Sequence, residues 1–256
     1  MALMAETGME ARPPLLTAAA ALYLDFDGTL AAYAPHPDGV TVVESLPALL
    51  AGLRERLGGA VALVTGRSLA SLDALIAPDR YAGAGLHGLE LRRQSGATTR
   101  ASDTPATAAL LGNLRERFAG DPRIVIEDKG PAVALHYRRA RARADECIAA
   151  MRELAAGTGL QVVMGHAVVE ARPGGIDKGG ALRSLAAQPP FADRQPVFVG
   201  DDVTDEDGFR AASELGGYGI KVGPGASVAR YRMAAVEDVH AWLRASLASL
   251  SPGGSR

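Results

Sequence analysis

The sequence predicts an α/β fold in which an inserted α+β domain interrupts a core with a parallel β-sheet. Short apolar runs alternate with helical patterns in the first third of the chain, which is typical of a parallel sheet with right-handed crossovers. In the middle, helices alternate with pairs of strands around turn residues, which indicates an antiparallel sheet. Beyond about residue 173 the first alternation returns, so the middle segment is interpreted as an insertion.

Continuous apolar runs predict the buried strands of the core, and apolar residues spaced three and four apart predict its helices. The first part of the core, residues 1–103, begins with a predicted disordered tail at residues 1–14. It continues with strand 21–26, helix 46–57, strand 60–64, a helix over 69–76 and strand 81–86. The second part, residues 173–256, contains helix 179–187, strand 196–199, helix 206–213, strand 219–222 and helix 239–250.

The inserted domain is predicted over residues 104–172. Its first helix spans 104–118, with Thr104 or Thr107 as the N-cap. Turn residues separate strands 124–127 and 132–137, and a second turn separates strands 160–164 and 167–171. Helix 142–156 lies between the two pairs of strands.

Composition excludes several classes of function. The chain of 256 residues has 27 basic and 29 acidic side chains, a balance that argues against a nucleic-acid or membrane partner. Cys147 is its one cysteine, which excludes a disulfide framework and a cysteine-based metal site. No apolar run is long enough to span a bilayer, and the first residues do not resemble a signal peptide, so we expect a cytoplasmic protein. We also expect a monomer.

The strongest chemical signal is Asp25-Phe26-Asp27-Gly28-Thr29-Leu30, directly after the first predicted strand. Alternate residues of a strand face the same side, so Asp25 and Asp27 are expected to point together at the edge where open α/β sheets bind ligands. Two close carboxylates call for a metal or for separate acid and base roles. The alternative is an ordinary acidic turn that caps a helix.

Three further signals follow predicted strands or begin a helix. Residues 200–207 hold five acidic side chains, whose repulsion a divalent cation would relieve, although a solvated helix start has the same composition. Thr65 and Gly66, followed by Arg67, resemble a small anion-binding nest, or else a plain N-cap. Lys178 begins a helix, where a cation is unfavourable unless an anion lies nearby or the side chain is simply solvated.

In the inserted domain, residues 127–138 concentrate polar groups suited to a sugar on two facing strands, or form an exposed hairpin face. His36, His166 and His240 follow no pattern and are predicted at the surface or in loops, whereas Trp242 is predicted in the core. Only three of the 27 basic residues are lysines. They are Lys129, Lys178 and Lys221, and Lys221 matches no motif.

Together these pieces resemble the haloacid dehalogenase (HAD) superfamily of phosphotransferases, whose four motifs match residues 25–30, Thr65, Lys178 and residues 200–205 in order. Within it, the chain resembles the trehalose-6-phosphate phosphatase family over about residues 20–245. The segments that carry this closer resemblance are 24–30, 64–67, 85–90, 127–138, 168–179 and 199–209. Thr65 stands where many relatives have serine, which keeps the hydroxyl. The resemblance implies a HAD-like Rossmannoid parallel-sheet core with an inserted α+β cap of the C2B type.

The resemblance also implies an activity, the Mg²⁺-dependent hydrolysis of trehalose 6-phosphate to trehalose and phosphate, the last step of trehalose biosynthesis. Asp25 would attack the phosphorus to form an aspartyl-phosphate, and Asp27 would protonate the leaving oxygen and then activate water. Thr65 and Lys178 would hold the phosphoryl oxygens. The metal would be held by Asp25, the carbonyl of Asp27, Asp201 and Asp205, the last through water.

The inserted cap would close over the sheet and recognise the sugar. Candidate substrate-binding residues beside the catalytic groups are Gly28, Thr29, Gly66 and Arg67, with His87 and Glu90 at the end of the third strand. Those in the cap are Glu127, Lys129, His136, Arg138 and Glu170. One alternative is a HAD phosphatase for another sugar phosphate, such as sucrose or mannosylglycerate phosphate. Another is a non-catalytic phospho-sensor of the receiver type, which needs neither Asp27 nor an inserted domain.

Overall fold

The computed structural model describes residues 12–34, 39–77 and 80–250, which form two sheets with helices packed on them. The elements before the insertion are β1 Ala20–Leu24, α1 Leu46–Arg56, β2 Val61–Val64, α2 Leu69–Ile76, β3 Ala82–Gly85, β4 Glu90–Arg92 and β5 Thr98–Arg100. Those of the inserted unit are α3 Pro105–Arg117, β6 Val125–Asp128, β7 Val133–His136, α4 Ala144–Ala155, β8 Leu160–Gly165 and β9 Val168–Pro173. The rest are α5 Lys178–Ala186, β10 Gln195–Gly200, α6 Glu206–Glu214, β11 Tyr218–Val222, β12 Tyr231–Met233 and α7 Val236–Ser249.

The larger sheet has eight strands in the order β12-β11-β10-β1-β2-β3-β4-β5. Its six strands from β12 to β3 are parallel, and all five residues of β1 at its middle are buried, as expected for a strand covered on both faces. Strand β3 packs so closely against β2 that a Cβ at Gly83 would collide with the carbonyl oxygen of Leu63, which explains the glycine at this position. The predicted parallel core is confirmed.

The smaller sheet, in the order β6-β7-β9-β8, is antiparallel throughout. Helices α3 and α4 supply residues such as Leu114, Cys147 and Met151 to an apolar core that is separate from the core of the large sheet. Thr104 and Thr107 exchange hydrogen bonds in a capping box at the start of α3. The predicted α+β cap is therefore confirmed as an architecture, while the limits 1–103, 104–172 and 173–256 stay a prediction as domain boundaries.

The structure adds three strands that the sequence did not predict, namely β4, β5 and β12. Each has three residues, and β5 is exposed along its whole length, so none of them carries a continuous apolar run. The ends of the predicted elements differ from the observed ones by up to three residues. Within the described ranges, every helix falls short of the length and apolarity that crossing a bilayer requires.

Two predictions about the periphery need correction. The predicted disordered tail extends too far, because the carbonyl of Pro14 accepts a hydrogen bond of 2.9 Å from the indole N–H of the buried Trp242, while residues 1–11 lie outside the described residues. His240 is not at the surface: its ring is buried, and its Nε2 lies 2.8 Å from the carbonyl oxygen of Leu30. The prediction for His36 falls outside the described residues. Trp242 lies in the core as predicted.

Candidate active site

A cavity opens between the carboxyl ends of the parallel strands and the smaller sheet. From the core it is lined by Asp25 and Asp27, which follow β1, and by Thr65, Gly66 and Arg67, which follow β2. These residues share one edge of the sheet because the strands before them are parallel neighbours. The cap supplies the facing wall, whose predicted members are Glu127, Lys129, His136, Arg138 and Glu170.

Lys178 lies at the floor of this cavity as the first residue of α5. Its Nζ is 2.7 Å from Oδ1 of Asp25 and 2.6 Å from Oδ1 of Asp205, and its side chain is only 2% exposed. The cation that was unfavourable at a helix N-terminus therefore has two anionic partners. Burial by itself would lower the pKa of Lys178, but the charges of Asp205 and Asp25 outweigh that effect and raise the pKa, so the amine stays protonated.

Asp25, Asp201 and Asp205 form a compact acidic cluster in which one carboxylate oxygen from each lies within 4.8 Å of the others. Burial is the largest cause that raises the pKa of each carboxyl, and repulsion from neighbouring carboxylates adds to it. The pKa of Asp201 rises to about 7. Carboxylates crowded together away from water bind a cation or retain protons, and oxygen donors suit a hard divalent ion. The residues present therefore fit a divalent metal.

The loop after β10 is organised around Asp205. Its Oδ2 accepts hydrogen bonds of 2.9 Å from the backbone N–H groups of both Asp201 and Asp202. Asp205 occupies the N-cap position of α6 without a side-chain capping bond. The carboxylate turns back into its own loop instead, which places Asp201 beside Asp25.

Lys221, which matched no motif, supports the same loop from the neighbouring strand β11. Its buried Nζ donates hydrogen bonds to the backbone carbonyls of Asp201, at 2.5 Å, and Val222, at 2.6 Å. Burial lowers the pKa of Lys221. Sequence reasoning missed this residue because its partners are backbone atoms, which leave no pattern of side-chain types.

Arg67 holds the second aspartate of the first motif. Its Nε and Nη2 donate to the two carboxylate oxygens of Asp27, at 2.6 and 2.8 Å, in a bidentate ion pair. Beside it, the fully buried Thr65 accepts a hydrogen bond of 3.1 Å from the backbone N–H of Arg67 through its hydroxyl. Asp25 and Asp27 thus face one cavity as predicted, but they have different partners: Asp25 pairs with Lys178 and Asp27 with Arg67.

The cap wall contains two paired sets of polar groups. Glu127 lies 2.8 Å from Nε2 of His136, and Lys129 lies 2.6 Å from Glu170. Lys129 also reaches the core, where its Nζ donates to the carbonyl of Gly66 at 2.9 Å. Burial would lower the pKa of Lys129, but Glu170 and Glu127 raise it, so the cation persists.

His87 approaches the cap wall from the core. It lines the cavity 3.9 Å from Glu170, and burial lowers its pKa well below the ordinary value, so the ring is neutral. The ring also packs closely against Gly66, where an added Cβ would lie 2.6 Å from two of its atoms. His87 is therefore a neutral ring between core and cap, whose buried Nδ1 has no hydrogen-bond partner among the described residues.

Three predicted substrate-binding residues do not line the cavity. Glu90 accepts a hydrogen bond of 2.7 Å from the backbone N–H of Leu69 and lies 3.4 Å from Arg100, so its carboxylate supports the start of α2. Gly28 has a φ of +86°, and a side chain there would collide with the carboxylate of Asp201, so its role is close packing. Thr29 is fully buried.

Tyr33 and His166 line the cavity as well, and the sequence did not single them out as site residues. Their rings stack with centroids 4.7 Å apart and an angle of 18° between planes. Tyr33 comes from the core and His166 from the turn between β8 and β9. Their contact depends on how the cap sits on the core, so it leaves no local signal in the sequence.

The chain is similar in sequence to known proteins. The chain matches the trehalose-phosphatase family over residues 23–237. It is 41% identical to the trehalose-6-phosphate phosphatase of Escherichia coli over 232 residues, which cover 90% of this chain and 87% of that protein. It is 45% identical to a probable trehalose-phosphate phosphatase of Sinorhizobium fredii over 207 residues, which cover 80% of this chain and 78% of the relative.

Solved structures show the same fold. The C-terminal domain of trehalose-6-phosphate phosphatase from Candida albicans superposes with a TM-score of 0.79 at 21% identity, covering 93% of this chain and 99% of that one. A HAD-superfamily phosphatase from Bacteroides thetaiotaomicron superposes with a TM-score of 0.58 at 19% identity, covering 88% and 94%.

A parallel sheet with two aspartates after its central strand and an inserted antiparallel cap give this chain the fold that HAD-superfamily phosphatases have. The family match covers most of the chain, and the relatives align over most of their own length. The chain belongs to the trehalose-phosphatase family.

Proposed function

We propose that this chain hydrolyses trehalose 6-phosphate to trehalose and inorganic phosphate. The observation that carries the proposal is one continuous cavity, in which Asp25 and Lys178 of the core face the polar side chains of the cap. The floor offers a nucleophile and cations for a phosphoryl group, while the wall offers carboxylates and a lysine suited to the many hydroxyls of a disaccharide. Two relatives that carry this activity in their names align over 80% and 90% of this chain.

In the proposed reaction, Oδ of Asp25 attacks the phosphorus while the bond to the sugar oxygen breaks, which leaves an aspartyl-phosphate. Water then attacks that phosphorus, releases phosphate and restores the carboxylate of Asp25. Lys178 neutralises Asp25 before attack and then interacts with the phosphoryl oxygens, as does the hydroxyl of Thr65.

Asp27 moves the protons. It enters the first step as the protonated acid and gives this proton to the departing sugar oxygen, and it regains a proton from the attacking water in the second step. Its present partner, Arg67, fixes the orientation of the carboxylate through two hydrogen bonds. Both carboxylate oxygens accept from Arg67, so one of these hydrogen bonds must be released before Asp27 can carry the proton, while the other keeps the carboxyl group oriented.

The proposed metal is Mg²⁺, which Asp25, Asp201 and the backbone carbonyl of Asp27 would hold, with Asp205 acting through a water molecule. The support is the close approach of three carboxylates whose pKa values are raised in the absence of a cation. When bound, the ion neutralises charge between the anionic nucleophile and the anionic phosphate.

The cap supplies the proposed sugar site. Its candidate ligands are Glu127, Lys129, His136, Arg138 and Glu170, with His87, Gly66 and Arg67 facing them from the core. Gly28, Thr29 and Glu90 do not line the cavity, and their contact with substrate stays a prediction. A cytoplasmic monomer remains our prediction for the protein in the cell.

The decisive experiment measures phosphate release from trehalose 6-phosphate, sucrose 6-phosphate and mannosylglycerate phosphate, each with Mg²⁺ and with a chelator. We expect metal-dependent turnover with the highest kcat/KM on trehalose 6-phosphate. In parallel, Asp25→Asn should abolish turnover, whereas Asp27→Asn should accumulate acid-stable phosphoprotein. A higher kcat/KM on another sugar phosphate would identify that compound as the substrate instead. Turnover by Asp25→Asn would exclude Asp25 as the nucleophile.

A further inference from the structure

Tyr33 touches both the acidic cluster and the cap. Its hydroxyl donates a hydrogen bond of 3.4 Å to Oδ1 of Asp201, and its ring stacks on His166 of the cap. The guanidinium of Arg138, also from the cap, lies 4.6 Å from the centre of the same ring. One side chain of the core therefore connects a candidate metal ligand with two residues of the domain that covers the site.

On the core side, the contact between Tyr33 and Asp201 is enforced by packing. Both side chains lie over Gly28, where an added Cβ would approach a ring carbon of Tyr33 at 2.6 Å and collide with the carboxylate of Asp201. Lys221 donates a hydrogen bond to the backbone carbonyl of Asp201. Rotation of the Asp201 carboxylate is thus limited by the phenol hydroxyl of Tyr33.

On the cap side, several hydrogen bonds hold the stacked ring in place. The guanidinium of Arg138 donates to the carbonyl of Ala34, next to Tyr33, and to the carbonyl of His166 at 3.2 Å. The backbone N–H of His166 donates to Oδ2 of Asp202 at 3.3 Å. The stack therefore forms only while β8, β9 and their turn lie against the core.

We propose that Tyr33 is a positioning residue that couples closure of the cap over the sugar to binding of the divalent cation at Asp201. The inference rests on the proposed function, because it takes a disaccharide as the ligand that closes the cap. When the cap closes, His166 and Arg138 fix the ring, and the hydroxyl fixes the carboxylate that binds the cation. Groups that orient a metal ligand contribute to metal affinity although they do not touch the ion.

Such coupling is reciprocal, so it can be measured as a change in metal affinity without turnover. The probes are Mn²⁺, whose binding is followed by electron paramagnetic resonance, and trehalose, the unreactive product. In the parent protein, saturating trehalose should lower the Kd for Mn²⁺. Tyr33→Phe keeps the ring and removes the hydroxyl, so without sugar its Kd for Mn²⁺ should rise about tenfold, the lower end of the range for outer-shell partners.

The ratio of the Kd values without and with trehalose tests the coupling itself. It should fall close to one in Tyr33→Phe and also in His166→Leu, which removes the stack and leaves the hydroxyl on Asp201. His166→Leu should keep the parent's Kd for Mn²⁺ without sugar. The matched control is Tyr231→Phe, because Tyr231 is a buried tyrosine of β12 that packs on Tyr218. This variant should have the parent's Kd for Mn²⁺ without sugar and the parent's ratio of Kd values.

Three results would overturn the proposal. The first is a parent protein whose Kd for Mn²⁺ does not respond to trehalose. The others are a Tyr33→Phe protein that keeps the parent's Kd for Mn²⁺, or one that keeps the parent's ratio of Kd values without and with trehalose. A separate assay of phosphate release shows whether the proposed function itself fails, because the parent would then release no phosphate from trehalose 6-phosphate. In that case the comparison of Tyr33→Phe with the parent, made with Mn²⁺ alone, still tests the contact with Asp201.

Discussion

Arg67 donates two hydrogen bonds to the carboxylate of Asp27, from Nε to Oδ2 at 2.6 Å and from Nη2 to Oδ1 at 2.8 Å. The aspartate proposed to move protons is therefore already oriented, in a cavity where it would face the bond to be broken. Bidentate pairs of this kind fix direction as well as charge. Because a loss of orientation affects proton transfer more than binding, the pair can be tested by its effect on different leaving groups.

Arg67→Leu should lower kcat for trehalose 6-phosphate by about 100-fold, the lower range for loss of general acid–base catalysis. A sugar alkoxide is a poor leaving group and needs the proton, whereas p-nitrophenolate leaves without one. Turnover of p-nitrophenyl phosphate should consequently fall much less. Arg80→Leu, which alters an exposed arginine 3.7 Å from Asp73, serves as the control. Equal losses on both substrates would show that Arg67 contributes to phosphate binding and not to proton transfer.

Glu127→Ala should raise KM for trehalose 6-phosphate by about tenfold or more, because a hydrogen bond to a charged group is lost. Hydrolysis of p-nitrophenyl phosphate, which has no sugar, should stay close to that of the parent. Steady-state kinetics on the two substrates separates the effects. Glu153→Ala removes an exposed cap carboxylate that pairs with Arg117 outside the cavity, and it should change neither KM value. A matching loss on the aryl phosphate would contradict a sugar-binding role for Glu127.

Lys178→Arg should lower kcat although it keeps the charge. The ammonium fits between Asp25 and Asp205 at 2.7 and 2.6 Å in a site with almost no exposed surface, and a planar guanidinium is larger and directs its donors differently. We expect a loss of about 100-fold or more, comparable to the removal of one electrostatic contact to the transition state. Circular dichroism must show a folded variant, and kcat equal to that of the parent would refute the geometric argument.

The metal-free protein should lose stability as the pH rises. Asp201 has a pKa of about 7 in the folded chain against an ordinary value of 3.8, so the folded state binds this proton more tightly than the unfolded state does. The stability that this proton contributes to the folded state is fully present below about pH 4 and is lost as the pH rises through about 7. Mg²⁺ should restore the loss, since a cation favours the charged carboxylates.

Melting temperatures with a chelator, at several pH values between about 5 and 8, check this sign against Asp201→Asn, which cannot titrate. As the pH rises over that range, the melting temperature of the parent should fall by at least about 2–4 °C more than that of the variant. A shift of this size corresponds to about 1 kcal/mol in a chain of this length. A constant difference between parent and variant would place the pKa of Asp201 outside the range.

The core of the site could be predicted because its chemistry is local. Asp25 and Asp27 follow an apolar strand directly, and Lys178 begins a helix, so residue type and position together indicate the site. Glu90 shows the limit of that reasoning. A carboxylate at a strand end has the same appearance in the sequence whether it reaches a cavity or, as here, binds the backbone N–H of Leu69.

Contacts between distant segments could not be predicted for a different reason. Tyr33 and His166 stand 133 positions apart in the chain, and their stacking is decided by the position of the cap on the core. Lys221 bonds to backbone carbonyls, which every residue type possesses. Strands as short as β5 and β12 form because neighbouring strands offer free hydrogen-bonding groups, and their own sequences hardly favour them.

The return of the chain from the cap has a consequence for engineering. Strand β9 ends at Pro173 and α5 begins at Lys178, so only residues 174–177 separate the cap sheet from the cation that neutralises Asp25. Grafting a cap from another protein to alter the choice of sugar is feasible in principle, because the cap has its own apolar core. Such a chimera must keep the length of this four-residue tether, since a longer or shorter one would displace the lysine together with the foreign domain.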